Sequence, residues 1–100
     1  MSDPFTDGEI DRSVTGDRGR YSLPTPHGEA ELTYRITGPD RVIADHTYTP
    51  PPLEGRGIAR RLLDELLADA RAEGFRIVPA CPYIDVQRRR HPDWADLFTR

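Results

Sequence analysis

The sequence predicts an α+β fold: a mixed, mostly antiparallel sheet carrying one long helix in a β-α-β crossover, with short helices at the C-terminal end. Three observations carry this reading. Residues 29–37 and 41–49 alternate apolar and polar side chains on either side of Gly38-Pro39-Asp40, the pattern of half-buried strands that return antiparallel through a tight turn. Between Gly57 and Gly74, the residues Ile58, Leu62, Leu63, Leu66, Leu67 and Ala70 recur instead at helical spacing. Phe75-Arg76-Ile77-Val78 then forms a short strand, and a strand reached through a helical crossover pairs parallel and right-handed with its predecessor.

Taken in order, residues 1–19 are dense in Asp, Gly, Ser and Thr without a period; they are expected to form a flexible arm, with a short ordered piece near residues 10–14. A single domain is expected over residues 20–100, because 100 residues allow only one core. It opens with a strand at 20–23 that ends at Pro24, followed by a His27-Gly28 turn. In the next strand Ala30, Leu32, Tyr34 and Ile36 share one face. In the strand after it, Val42, Ala44, His46 and Tyr48 are placed on one face and Ile43, Asp45, Thr47 and Thr49 on the other. Pro50-Pro51-Pro52 ends sheet pairing, since proline has no N–H to donate. Beyond the long helix, Pro82 starts a second helix reaching about Arg90, His91-Pro92 breaks it, and Trp94, Leu97 and Phe98 anchor a last turn.

Bulk properties narrow the function. A net charge of −3 argues against a general nucleic-acid binder. All fourteen basic residues are arginine. Cys81 is the one cysteine, so no internal disulfide is possible and a reducing, cytoplasmic setting is expected. The N-terminal residues include Asp3, Asp7 and Glu9 and no apolar run, unlike a signal peptide, and no segment approaches the roughly twenty apolar residues of a membrane span. Three histidines and one cysteine without paired spacing predict no metal site.

The chemistry gathers at Glu54-Gly55-Arg56-Gly57-Ile58-Ala59, between a strand end and a helix start. A helix start exposes N–H groups without intrahelical partners, and the helix dipole adds partial positive charge. Glycines let an anion approach the backbone closely. A diphosphate fits such a turn, although a strand-to-helix turn needed only for packing would look the same. The chain has neither a G-x-x-x-x-G-K-[ST] loop nor a G-x-G-x-x-G followed by the expected acidic residue.

Together with its surroundings, this segment resembles the pyrophosphate-binding signature of the GNAT acetyltransferase superfamily, [QR]-x-x-G-x-[GA]. Gly57 and Ala59 match its last two fixed positions, while Glu54 stands where Gln or Arg is typical. Val78-Pro79-Ala80-Cys81-Pro82-Tyr83, the later Arg89-Arg90-His91-Pro92, and the pair His46-Thr47 before the loop are similar to a subgroup of very short GNAT-like proteins. The resemblance spans residues 20–98. It implies a small GNAT-like fold and acetyl-CoA or CoA as cofactor, held by Thr47, Tyr48, Thr49, Glu54, Gly55, Arg56, Gly57, Ile58, Ala59 and Arg60. It also implies that the strand before the loop splays from its parallel neighbour, so that residues 47–49 offer backbone hydrogen bonds to the pantetheine arm.

Three residues are candidates for catalysis. Cys81 precedes Pro82 and so lies near a helix N-terminus, where a thiolate is favoured; it is read either as an acetyl-accepting nucleophile or as a small buried hydrophobe. Tyr83 resembles the tyrosine that protonates departing CoA in larger GNAT enzymes, with packing against the sheet as the alternative. His46 near its strand's loop end is either a general base or a core histidine. Arg88-Arg89-Arg90 reads as a solvated face, or as a partner for the 3′-phosphate of CoA or an acidic substrate. The expected function is an acetyl-CoA-dependent N-acetyltransferase acting on a primary amine of a protein or small molecule, directly or through a Cys81 thioester. The alternative is a module on the same scaffold that binds CoA or a peptide without turnover. It is suggested by the apparent lack of the extra N-terminal strand and helices that wall the acceptor site in larger GNAT enzymes. Neither nucleic acid nor membrane is expected as a partner.

Overall fold

A computed structural model describes residues 9–99. Five strands form one sheet in the order β1-β2-β3-β4-β5: β1 Asp11–Thr15, β2 Arg18–Thr25, β3 Gly28–Gly38, β4 Arg41–Tyr48 and β5 Arg76–Pro79. The first four are antiparallel neighbours, and β5 joins β4 in parallel after the helix α1, Ile58–Glu73. A second helix, α2, spans Pro82–Arg90, and 3-10 turns lie at Pro51–Leu53 and Pro92–Leu97.

α1 buries Ile58, Leu62, Leu63, Leu66, Leu67 and Ala70, the stripe its periodicity predicts. These side chains lie in one cluster with Tyr21, Leu23, Ala30, Leu32, Tyr34, Val42, Ala44 and Ile77 of the sheet. A 16-residue helix is marginal alone; burial of each large apolar side chain contributes roughly 1.5–3 kcal/mol and holds it in place. Gly74 ends the helix by donating its N–H to Ala70 O at 2.9 Å. Among the described residues no helix is long and apolar enough to cross a membrane.

Three expectations need correction. The span read as a flexible arm contributes β1, where the short ordered piece near residues 10–14 was expected, and also the start of β2, while residues 1–8 lie outside those described. All five residues of β1 are exposed, which is why no alternation marked it. It is held through Arg12, whose guanidinium bonds to Glu73 and lies 3.2 Å from Asp69 on α1, while its Nε donates to Tyr34 Oη at 3.0 Å. The chain therefore does carry an N-terminal strand beyond the three antiparallel strands expected. Second, β2 runs through Pro24 to Thr25; Pro24 is exposed, near the strand's end, where a missing N–H is tolerated.

The third correction concerns β4 and shapes the site. Its register against β3 shifts between Tyr34↔Ala44 and Thr33↔His46, leaving Asp45 as the extra residue of a β-bulge. One added residue reverses the alternation. Beyond the bulge, Thr47 pairs with the buried Leu32, whereas His46 and Tyr48 are exposed on the other face. The expected grouping of His46 and Tyr48 with Val42 and Ala44 is therefore overturned.

Candidate functional site

The same bulge opens the sheet. β4 pairs with β5 from Arg41↔Arg76 to Ala44↔Pro79, and then continues to Tyr48 against β3 alone. Bulges bend the strand that carries them, and Pro79 has no N–H with which to extend the ladder. The last tie is Cys81 N–H to Ala44 O at 2.9 Å. Beyond it the strands part, and the gap faces the start of α1.

Gly55 and Gly57 both adopt the left-handed backbone conformation, with φ of 82° and 81°. A side chain strains that conformation, so the two glycines let the chain leave the turn Pro51–Leu53 and enter α1 directly. Gly57 is the N-cap and offers no side chain for capping. The first intrahelical bond runs from Arg61 N–H to Gly57 O at 3.0 Å. The amides of Ile58, Ala59 and Arg60 thus precede the helical ladder and form the positive end of the helix dipole.

A concavity of about 370 Å³ lies over this turn, lined by Thr47, Thr49, Glu54, Gly55, Gly57, Ile58, Ala59, Arg60 and Tyr83, with Leu53 at its base. It brings together most of the residues expected to bind a cofactor. Tyr48 and Arg56 are absent from the lining; Tyr48 is turned outward by the bulge, and Arg56 is exposed on the turn.

Cys81 lies beside this groove, next to Thr47. The residue is 4% exposed, and Thr47 Oγ1 lies 3.5 Å from its sulfur. Cys81 is also the extended N-cap of α2, with Pro82 in the first turn. Tyr83 is half-buried against the core and reaches the groove, so packing and access to a ligand coexist in one side chain. Burial pushes the Tyr83 phenol above its usual range, with the Arg60 charge opposing in part, so it stays protonated at neutral pH. His46 is not brought to Thr47, Cys81 or Tyr83; it is exposed on the opposite face of the sheet. Asp45 is on the surface, where its carboxylate accepts a 2.6 Å bond from Thr33 Oγ1.

Arg88 and Arg89 are not brought to the glycine turn either. Both pair with Asp85, at 2.6 and 3.4 Å, and line a separate concavity of about 770 Å³ beside Val78, Pro79 and Phe98. Neither residue lines the glycine groove. Arg88, hydrogen-bonded to Asp85, holds that carboxyl below its usual range. Among the described residues no group of three or more His, Cys, Asp or Glu is placed to hold a metal ion.

Sequence reasoning missed one participant. Trp94 and His91 stack at 4.0 Å with ring planes 13° apart, and the Arg60 guanidinium lies over the Trp94 ring at 4.9 Å. The i, i+3 spacing of the two rings across a proline turn was the available signal.

Comparison with known proteins agrees with this architecture. The NMR solution structure of a GCN5-like protein from Staphylococcus aureus superposes with a TM-score of 0.66 over 89% of this chain and 87% of its own, at 20% identity. Mouse N-alpha-acetyltransferase 80 is 38% identical over 55 residues, which cover 55% of this chain and 18% of the mouse protein. The α+β fold is thus GNAT-like, and residues 20–97 match the GCN5-related N-acetyl-transferase family. Strand splay, glycine turn and helix start stand within that matched span, and the chain belongs to the GCN5-related N-acetyl-transferase family.

Proposed function

We propose that this chain binds acetyl-CoA in the groove over the glycine turn and transfers the acetyl group to a primary amine of a protein or small molecule. The observation that carries this reading is the convergence of Thr47, Thr49, the 54–60 turn and Tyr83 on one concavity beside Cys81. The residues suit the ligand. Two left-handed glycines and the amides opening α1 offer a diphosphate an unobstructed cradle. The volume lies within the roughly 300–1,000 Å³ of small-molecule sites. The part of β4 beyond Ala44 is no longer paired with β5, so its backbone on that side is turned to the gap, where an extended pantetheine arm can bond to it. Tyr48 and Arg56 remain secondary contacts in this reading, through backbone at the first and charge at the second.

When bound, acetyl-CoA supplies an activated acetyl thioester. The chain's residues would hold it and move one proton. Tyr83, kept protonated by burial, donates to the departing thiolate. In the relay form, Cys81 Sγ would take the acetyl group: a new sulfur–carbon bond would replace the one to CoA, Tyr83 would give its proton to the CoA sulfur, and the Cys81 thiol proton would return to Tyr83, directly or through solvent. A neutral amine would then take the acetyl group from Sγ, and the proton it loses would return, directly or through solvent, to the sulfur and restore the thiol. A lone reduced cysteine suits a cytoplasmic setting.

The test is direct. Acetyl-CoA at about a hundred times its Kd should stabilise the fold by about 2.7 kcal/mol, raising the melting temperature of a 100-residue chain by roughly 10 °C or more. Free thiol release with a panel of amines should follow. An acetyl adduct on Cys81 by intact mass supports the relay. No adduct, together with a fully active Cys81→Ala, leaves direct transfer. One observation favours a second reading, binding without turnover: His46, the base offered by sequence, lies on the other face of the sheet. Stabilisation by CoA with no thiol release against any amine would establish that module instead.

A further inference from the structure

We infer that Trp94 and His91 are positioning residues that hold the Arg60 guanidinium at the phosphate end of the groove. This rests on the proposed acetyl-CoA site and adds to it a component supplied by the C-terminal turn.

Arg60 is the third residue of α1 and lines the groove beside the glycine turn. A long arginine side chain at an open groove ordinarily samples many rotamers, which dilutes its charge as a phosphate ligand. Here three contacts restrict it. Its Nε donates to Asp64 Oδ1 at 3.0 Å, Nη1 lies 3.5 Å from His91 Nε2, and the guanidinium carbon sits 4.9 Å above the Trp94 ring. The Asp64 pair is an exposed i, i+4 contact and orients weakly by itself. The aromatic contact differs, because Trp94 is buried at 7% exposure and its ring is stacked on His91. The stack is fixed by backbone: His91 N–H donates to Arg88 O at 3.2 Å and Trp94 N–H to His91 O at 2.9 Å.

The contacts leave part of the guanidinium free, since an arginine has only donors to offer. The bonds to Asp64 and His91 use two of the five guanidinium N–H donors. The planar fork is presented beside the amides that open α1, where bidentate recognition of a phosphate is strong. Two chain segments distant in sequence, the first turn of α1 and the turn Pro92–Leu97, thus build one anion-binding corner.

The deciding experiment is a double-mutant cycle on acetyl-CoA affinity by titration calorimetry. Arg60→Gln should weaken binding about tenfold and flatten the dependence of affinity on salt. Trp94→Leu should weaken it severalfold, Trp94→Phe should restore most of the loss, and Arg60→Gln/Trp94→Leu should bind no more weakly than Arg60→Gln alone. If Trp94→Leu does not fold, His91→Ala in the same cycle reads the same coupling. Fully additive losses would show that Trp94 or His91 only supports the fold, and would overturn the inference. So would single variants that bind as tightly as the wild type. Failure of the wild type itself to bind acetyl-CoA would instead remove the cofactor reading, and this inference with it.

Discussion

At the scale of single residues, the tightest constraint is at Gly19, opposite Tyr34 in the β2–β3 register. A Cβ at Gly19 would stand 1.9–2.4 Å from the Tyr34 ring atoms, and that ring is packed in the core with Tyr21 at 5.5 Å. Gly19→Ala should cost about 2 kcal/mol or more by overpacking, and Gly19→Ala/Tyr34→Leu should recover part of it in chemical denaturation. Full additivity of the two changes would count against the clash. Thr47 makes a second point at this scale. Its hydroxyl is the polar partner at the Cys81 sulfur, so Thr47→Val should reduce Cys81 acetylation, read by intact mass, by about tenfold while changing stability by less than about 1 kcal/mol. For Tyr83 the pH sign follows from its raised pKa. The protonated phenol persists through the ordinary tyrosine range near pH 10. Turnover that depends on it should fall only as pH rises through that higher value, and Tyr83→Phe should remove the limb altogether.

At the scale of elements, two devices decide the architecture, and both escape periodicity. The first is the bulge at Asp45. Deleting Asp45 would make the ladder to β3 continuous, with Ala44, His46 and Thr47 keeping their partners and faces, and would remove the bend that carries β4 away from β5. The expected result is a folded or partly folded chain that has lost stabilisation by acetyl-CoA; retained binding would show that the bulge does not build the groove. The second is the clamp of β1 on α1. Tyr21 Oη donates to Asp69 Oδ2 at 2.7 Å, and Arg12 reaches Asp69 and Glu73. The hydrogen bond from Arg12 holds the Glu73 carboxyl below its usual range. A lowered folded pKa means that the pair stabilises above the unfolded value near 4.3 and loses that contribution as pH falls through the folded one. Glu73 is largely exposed, so the effect is about 0.5 kcal/mol. Arg12→Gln should therefore reduce stability at pH 7 and bring the wild-type and variant acid-unfolding curves closer together as pH falls below the ordinary glutamate range. Curves that stay equally separated at both ends would refute the linkage.

At the scale of the whole molecule, the organisation is one helix on one face of a five-stranded sheet, with the site where β4 leaves β5 and faces the start of α1. Leu63 is fully buried at the centre of that layer, and Leu63→Ala should cost about 2–5 kcal/mol by leaving a cavity, partly offset when acetyl-CoA is bound. The helix α1, its glycine ends, the β3–β4 hairpin, the parallel β5 and the start of α2 at Pro82 were readable in the sequence, because each rests on local periodicity or on a breaker residue. So was the place of the glycine turn, since its conformation depends on backbone at consecutive positions. Two kinds of information were not local. β1 has no buried residue and is held by its ladder to β2 and by Arg12 reaching across to α1. The faces of Thr47, His46 and Tyr48 depend on a bulge that only pairing with β3 reveals. The sequence by itself therefore determined the fold class and the place of the glycine turn at the start of α1. Only the tertiary structure decided that Thr47 meets Cys81, that His46 turns away, and that Arg60 rests on Trp94, because each is set by contacts between segments far apart in the chain.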